Sequence, residues 1–292
     1  GLPEGAESAR LEALPTAILD AVLGVRIPGA PPADRRLVVL ADGTELELLV
    51  APLADDHEAG TVITLRDVTD QRRLERARRD LVANVSHELK TPIAALKGFL
   101  ELLEDGVDER TRREFLASMS QETGRLERLV EEQLQLARLD AGALPLARQE
   151  VDLDELAEVV VAPRVPLAER DGLRVTVRVA TPAPVTAEVD PARVEQILLI
   201  LLDNAQRHTP HGGRIEVVVG RDGQDATIAV TDTGEGIPDD DQPFVFDRFY
   251  RGDHSREGRS AGLGLAIARG LAASHRGSLS LRSVVGEGST FT

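Results

Sequence analysis

The chain has no cysteine, no tryptophan and a single tyrosine, and only 2% of its 292 residues are aromatic. Without cysteine it forms no disulfide, carries out no thiol catalysis and offers no thiolate to a metal, as expected of a reducing compartment. With so few rings, leucine, valine and alanine must fill its cores. Long apolar runs are missing too. The longest, Ile197–Leu202, has six residues, against the ~20 that a membrane helix needs. No signal peptide is evident at the start. A cytoplasmic location is expected, with membrane contact only if the parent protein has spans upstream. Positive charge is also in deficit: 34 basic residues face 50 acidic ones, a net −16. That balance argues against nucleic acid as the main partner.

The length leaves room for two or three small domains, and the expected fold is multidomain α+β. Residues 1–68 read as one module. Leu11–Val22 suits a short helix and Ile27–Asp34 a loop. Arg36–Leu40 and Glu45–Val50 flank Asp42-Gly43 as a β-hairpin, and Gly60–Leu65 follows as a third strand. The strands run out through Arg66-Asp67-Val68-Thr69-Asp70, an exit resembling that of PAS sensory domains, so a PAS-like fragment is expected. His57 lies in an acidic loop and reads as solvated. From Thr69 the pattern is helical, with Leu74, Ala77, Leu81 and Val85 at coiled-coil spacing. The arginines at 72, 73, 76, 78 and 79 read as a solvated face.

Residues 69–142 read as two antiparallel helices, Thr69–Glu104 and Arg110–Ala141, joined at Asp105–Asp108 and closed by Gly142. Pro92 predicts a bend in the first. One apolar stripe runs along Leu81, Val85, Leu89, Ile93, Leu96, Leu100 and Leu103. A second runs along Phe115, Met119, Leu126, Val130, Leu134 and Ala137. A single hairpin cannot bury both, so the pattern predicts a homodimeric four-helix bundle. His87 lies ~200° from its stripe neighbours at ~100° per residue, which turns it outward. Glu88 next to it is able to take a proton from one ring nitrogen and leave the other nucleophilic.

Residues 148–292 alternate short strands (Leu173–Val179, Arg214–Val219, Thr227–Thr231) with helices around Asp154–Arg170, Pro191–Arg207 and Gly264–Ser274, an α/β sandwich. Asn204 ends an apolar helix with an oxygen suited to Mg²⁺. Asp232-Thr233-Gly234-Glu235-Gly236 follows a strand, offering a carboxylate to an adenine amino group and glycines for close backbone approach. Phe246–Arg251 comes next. Gly262-Leu263-Gly264 then opens a helix whose amides suit phosphate.

The string Ser86-His87-Glu88-Leu89-Lys90-Thr91-Pro92-Ile93 resembles the H box of two-component sensor histidine kinases. The four later clusters resemble, in order, that family's N, first glycine, F and second glycine boxes, and Gly286–Phe291 its further glycine motif. The resemblance implies a phosphotransfer hairpin and an ATP-binding domain of the Bergerat, or GHKL-like, type. His87 would accept phosphate from ATP and pass it to an aspartate in the receiver domain of a response regulator. Glu88 would assist, and Thr91 would hold a water for dephosphorylating the regulator. Asn204 would hold Mg²⁺, Arg207 and Arg251 would meet the phosphates, and His208 would sit beside the nucleotide. Asp232 would recognise adenine, with Gly234 and Gly236 shaping its pocket. Gly262, Leu263 and Gly264 would hinge a lid at Ser255–Ala261.

Two positions depart from the pattern. Ile200 replaces an asparagine common in relatives, leaving Mg²⁺ to Asn204 with help from Glu195 or Asp203. Ser260 and Ala261 stand where relatives carry glycine and Ser/Thr. The chain ends at Phe291-Thr292, where relatives continue the strand. The alternative reading is a degenerate kinase serving as a dimeric ATP-binding scaffold. A gyrase-like or chaperone-like ATPase would need neither the hairpin nor the H-box string.

Overall fold

The computed structural model describes residues 34–53, 60–252 and 261–292, and divides into two compact units, 1–86 and 87–292. The expected helix at 11–22, the loop at 27–33, His57 and lid residues 255–260 lie outside the described residues.

In the first unit, β1 (Asp34–Val39), β2 (Glu45–Leu53) and β3 (Gly60–Asp67) form one antiparallel sheet in sequence order. The β1–β2 turn is built as the Asp-Gly pair predicts. Gly43 has φ +84°, and the Asp42 carboxylate accepts from the Thr44 amide at 3.0 Å. The Asp-Val-Thr exit has a physical role. The Thr69 hydroxyl donates to Asp67 at 2.6 Å and accepts from the Glu45 amide at 2.8 Å, while Val68 is buried. The sheet edge and the start of the next helix are thereby tied together.

Helix α1 (Thr69–Glu104) is unbroken, with Pro92 inside it. Proline has no N–H, so the Glu88 carbonyl loses its helical donor one residue beyond His87. Helix α2 (Glu109–Asp140) starts under an N-cap: Asp108 accepts from the amides of Arg110 and Thr111. It ends as Gly142 allows, at φ +60°, with the Ala143 amide closing back on the Arg138 carbonyl at 2.9 Å. Part of the predicted α2 stripe lies open within the single chain. Val130 and Leu134 are about half exposed, and the buried residues are Leu129 and Leu136. Those two pack on the C-terminal α/β fold of the same chain (residues 149–292), together with Leu139.

That fold has a five-stranded sheet in the order β5-β7-β8-β10-β9, where β5 is Arg174–Val179, β7 Arg214–Asp222, β8 Asp225–Asp232, β9 Leu281–Val284 and β10 Gly288–Phe291. Only β5 and β7 pair in parallel. A separate ribbon pairs β4 (Gln149–Asp152) with β6 (Thr186–Val189). The alternation count misses β4, β6, β9 and β10, each only four residues long. The helix expected over 154–170 is two: α3 (Leu153–Val161) and α4 (Val165–Arg170), with a 3₁₀ turn between them that carries Pro163. Helix α5 (Pro191–His208) is capped by Asp190, opens on a proline and turns Val194, Leu198, Leu201, Leu202 and Ala205 into the core. There they meet Ile215, Val217, Val230 and Phe291 from the sheet. Helix α6 (Gly264–Ser274) lies beside α5 and contacts α2. Leu139 fits where a side chain on Gly270 would stand, 2.9 Å from that position.

Candidate nucleotide site and phospho-acceptor

The C-terminal end of α5, the loop after β8 and the start of α6 surround a cavity of about 380 Å³. Asn204, Arg207 and His208 project from the last turns of α5 into it. Asp232 lies at the end of β8 and is only 4% exposed. One of its carboxylate oxygens accepts from the Gly234 amide at 2.8 Å and the Ser289 amide at 3.3 Å. Burial pushes this carboxyl above the ordinary range, and the two amides and His208 only partly oppose it. The other oxygen remains the natural acceptor for an incoming donor. His208 donates from Nδ1 to Glu235 at 2.9 Å, since a carboxylate only accepts.

The glycines have separate duties. A side chain on Gly236, at φ +70°, would stand 2.1 Å from the Val284 carbonyl. Gly236 therefore permits a close backbone crossing at the cavity wall. Gly234 does not line the cavity. It allows the loop to reach the His208 carbonyl, 2.4 Å from where its Cβ would be. Gly262, at φ +72°, and Gly264 line the cavity, as do Tyr250 and Arg251. Leu263, expected among the nucleotide contacts, is buried and faces Leu129 and Leu136 instead. It sits between two cavity-lining glycines, and the turn directs its side chain into the core.

Ile200 lines the cavity and lies 3.2 Å from where Gly264 would carry a Cβ, so it braces the start of α6. Asp203 also lines the cavity and is paired with Arg164, whereas Glu195 is exposed and outside the lining. Among the described residues no group of three or more His, Asp or Glu could hold a metal ion. One amide oxygen at Asn204, beside a carboxylate, suits Mg²⁺, which takes most of its ligands from phosphate and water.

In the hairpin, His87 is exposed and Glu88 partly buried. Glu88 pairs across the hairpin with Arg125 of α2 at 3.3 Å, rather than resting on the imidazole. The Thr91 hydroxyl bonds back to the His87 carbonyl at 3.4 Å. Sequence reasoning missed Arg125, although the hairpin itself carried the signal. Residues equally far from the Asp105–Asp108 turn face each other, as Phe99 and Phe115 also do at 5.4 Å. It also missed Glu132 of α2, which lines the same cavity as Asn204 and Asp232.

Residues 77–142 match the family described as "His Kinase A (phospho-acceptor) domain". Residues 189–292 match the "Histidine kinase-, DNA gyrase B-, and HSP90-like ATPase". The sensor protein SrrB of Staphylococcus aureus (strain MRSA252) is 35% identical over 238 residues, covering 80% of this chain and 40% of SrrB. The chain thus spans about 40% of the length of the curated relatives it matches. Among solved structures, the Acinetobacter baumannii histidine kinase AdeS aligns at TM-score 0.56 and 26% identity, over 70% of this chain and 94% of that one. Full-length ShkA in complex with AMPPNP aligns at TM-score 0.56 and 30% identity, over 73% of this chain and 44% of that one. With an acceptor-type hairpin and a kinase-type ATPase fold in one polypeptide, the chain belongs to the sensor histidine kinases of two-component systems.

Proposed function

We propose that the chain is an ATP-dependent protein histidine kinase that phosphorylates His87 and hands the phosphoryl group to an aspartate of a response regulator. One observation carries this reading. A solvent-facing histidine on the hairpin shares a chain with a cavity whose floor is a buried carboxylate, Asp232, and whose α5 wall carries Asn204 and Arg207. Asp232 accepts a hydrogen bond from the adenine amino group. Arg207 and Arg251 meet the phosphates. An imidazole nitrogen of His87 attacks the γ-phosphorus in line, the bond to the β–γ bridging oxygen breaks, and ADP leaves with the electron pair. Glu88, held by Arg125, takes up proton character from the second ring nitrogen when the imidazole turns towards it. Asn204 would hold Mg²⁺, and that ion would offset charge on the phosphoryl oxygens.

The proposed working unit is a homodimer. Ile93, Leu100, Val130 and Leu134 are each about half exposed on the hairpin, and a second copy would cover them. Thr91 is assigned to regulator dephosphorylation. The domain limits 1–68, 69–142 and 148–292 and a PAS-like reading of the first module are part of the same proposal, as is a cytoplasmic site of action. No helix among the described residues is long and apolar enough to cross a membrane. Incubation with Mg²⁺ and γ-labelled ATP tests the reaction. Acid-labile, alkali-stable label that is absent from His87→Gln supports it, and label retained by that variant sinks the assignment of His87. Chasing the labelled chain with a receiver domain tests the second step.

A further inference from the structure

Helix α2 is docked on the ATPase fold in a way that puts one of its carboxylates inside the nucleotide cavity. Gln135 and Gln196 exchange two amide hydrogen bonds of 2.9 Å and fix the register of α2 against α5. One turn back along α2 is Glu132, and one turn on along α5 is Ile200, with Asn204 a turn further. Glu132 and Ile200 lie in the same cavity wall, so the two helices run antiparallel there. Glu132 is the residue of α2 in that wall, and it stands at the end of α5 that carries Asn204 and Arg207.

The docking is held by apolar contact between Leu129, Leu136 and Leu139 and the start of α6, and by the pair Asp140–Arg248. It also contains two poorly compensated polar groups. Burial pushes the Glu132 carboxyl upward, and Arg128 one turn away only partly opposes this. The side-chain nitrogen of neighbouring Gln133 is buried without a hydrogen-bond partner. An interface with such costs is suited to release.

We propose that Glu132 is an electrostatic latch: its carboxylate sits in the cavity that takes the nucleotide, so the arriving phosphates repel it and drive α2 off the ATPase fold. The inference rests on reading the cavity as a nucleotide site. It ties occupancy of that site to freedom of the hairpin that carries His87, with no further ligand. The effect is Coulombic, because phosphate and carboxylate share one low-dielectric cleft.

The test is titration of the whole chain with AMPPNP and with adenosine, in the native protein, Glu132→Gln and the control Glu131→Gln. Amide hydrogen exchange of α2 and α6 is followed alongside. Glu132→Gln should bind AMPPNP about fivefold or more tightly, and the gain should shrink as salt rises. Adenosine should bind all three alike. AMPPNP should speed exchange at residues 136–140 in the native chain. Equal AMPPNP affinity in native and Glu132→Gln overturns the latch alone. So does weaker binding by the variant, which would make Glu132 a ligand of the cation that accompanies the nucleotide. Unchanged exchange at the contact overturns it as well. A native chain that binds no AMPPNP overturns the function reading, and the latch falls with it.

Discussion

The hairpin and the ATPase fold use their side chains in opposite ways. In the ATPase fold, α5 and the sheet bury a continuous set of leucines, valines and isoleucines, and the loops that build the cavity are crowded to contact. Among the described side chains of the hairpin few are buried, apolar side chains stand in solvent, and the glycines have open space around them. One part is finished as a single chain. On the proposed function, the other is left open for partners: a second copy, the nucleotide-bearing domain and a receiver. Binding adenine needs a rigid pocket, whereas receiving and passing on a phosphoryl group needs a histidine that several surfaces reach in turn.

Glycine substitutions sharpen that contrast most. Gly288 lies at φ +118°, and a Cβ there would stand 2.0 Å from the Asp232 carbonyl. Gly288→Ala should destabilise the ATPase fold by about 4 kcal/mol, read as the largest fall in its thermal midpoint. Leu271→Ala comes next. This residue is fully buried between α2 and α6, and the cavity left behind should cost about 3 kcal/mol. Leu134→Ala on the half-exposed face should change folding by less than about 0.5 kcal/mol yet weaken self-association in sedimentation. A large loss of folding stability with unchanged association would break the comparison. Asp190→Ala removes the cap of α5, where the carboxylate accepts from the amides of Ala147, Ala192 and Arg193. The expected cost is about 1–2 kcal/mol.

Acid separates the buried carboxylates Asp190 and Asp232. Burial alone would raise Asp190, but the amides of Ala147, Arg193 and Ala192 outweigh it and hold the carboxyl below its ordinary value. The stability it contributes is therefore present above the unfolded-state pKa and is lost as pH falls through the lower, folded one. Asp232 is shifted the other way, chiefly by burial. Its contribution to stability grows on acidification, while adenine affinity should fall through a pKa above the usual carboxylate range, because the protonated acid is a poorer acceptor. The smallest effect is a gain. Gly98 lies mid-helix with nothing within 4 Å of a Cβ, so Gly98→Ala should stabilise α1 by about 0.8 kcal/mol.

Much of this was legible in the chain. The bounds of α1, Thr69–Glu104, follow from its period, and the Asp42-Gly43 hairpin follows from turn chemistry. The cavity-lining residues on α5, β8 and α6 were readable because each sits at the end of an element, where box motifs are fixed by backbone geometry. What escaped was set by tertiary contact. Strands as short as β9 and β10 carry too few residues to show a period. Leu263 looks like a cavity residue until α2 packs against it. Which face of α2 is buried within the chain depends on α6, more than a hundred residues away, so the burial of Leu129 and Leu136 was not legible beside the stripe through Val130 and Leu134. Glu132 was hidden for the same reason.

The most direct test of the division of labour is a double dissociation in nucleotide binding and phosphoryl uptake, with native chain, His87→Gln and Asp232→Asn side by side. His87→Gln should bind ATP as the native chain does and take up no acid-labile label. Asp232→Asn should lose about 100-fold in ATP affinity and lose its labelling at ATP concentrations that saturate the native chain, with the fold intact by circular dichroism. If His87→Gln is labelled as the native chain is, or if Asp232→Asn binds ATP unimpaired, the acceptor and the adenine-reading carboxylate have been assigned to the wrong residues.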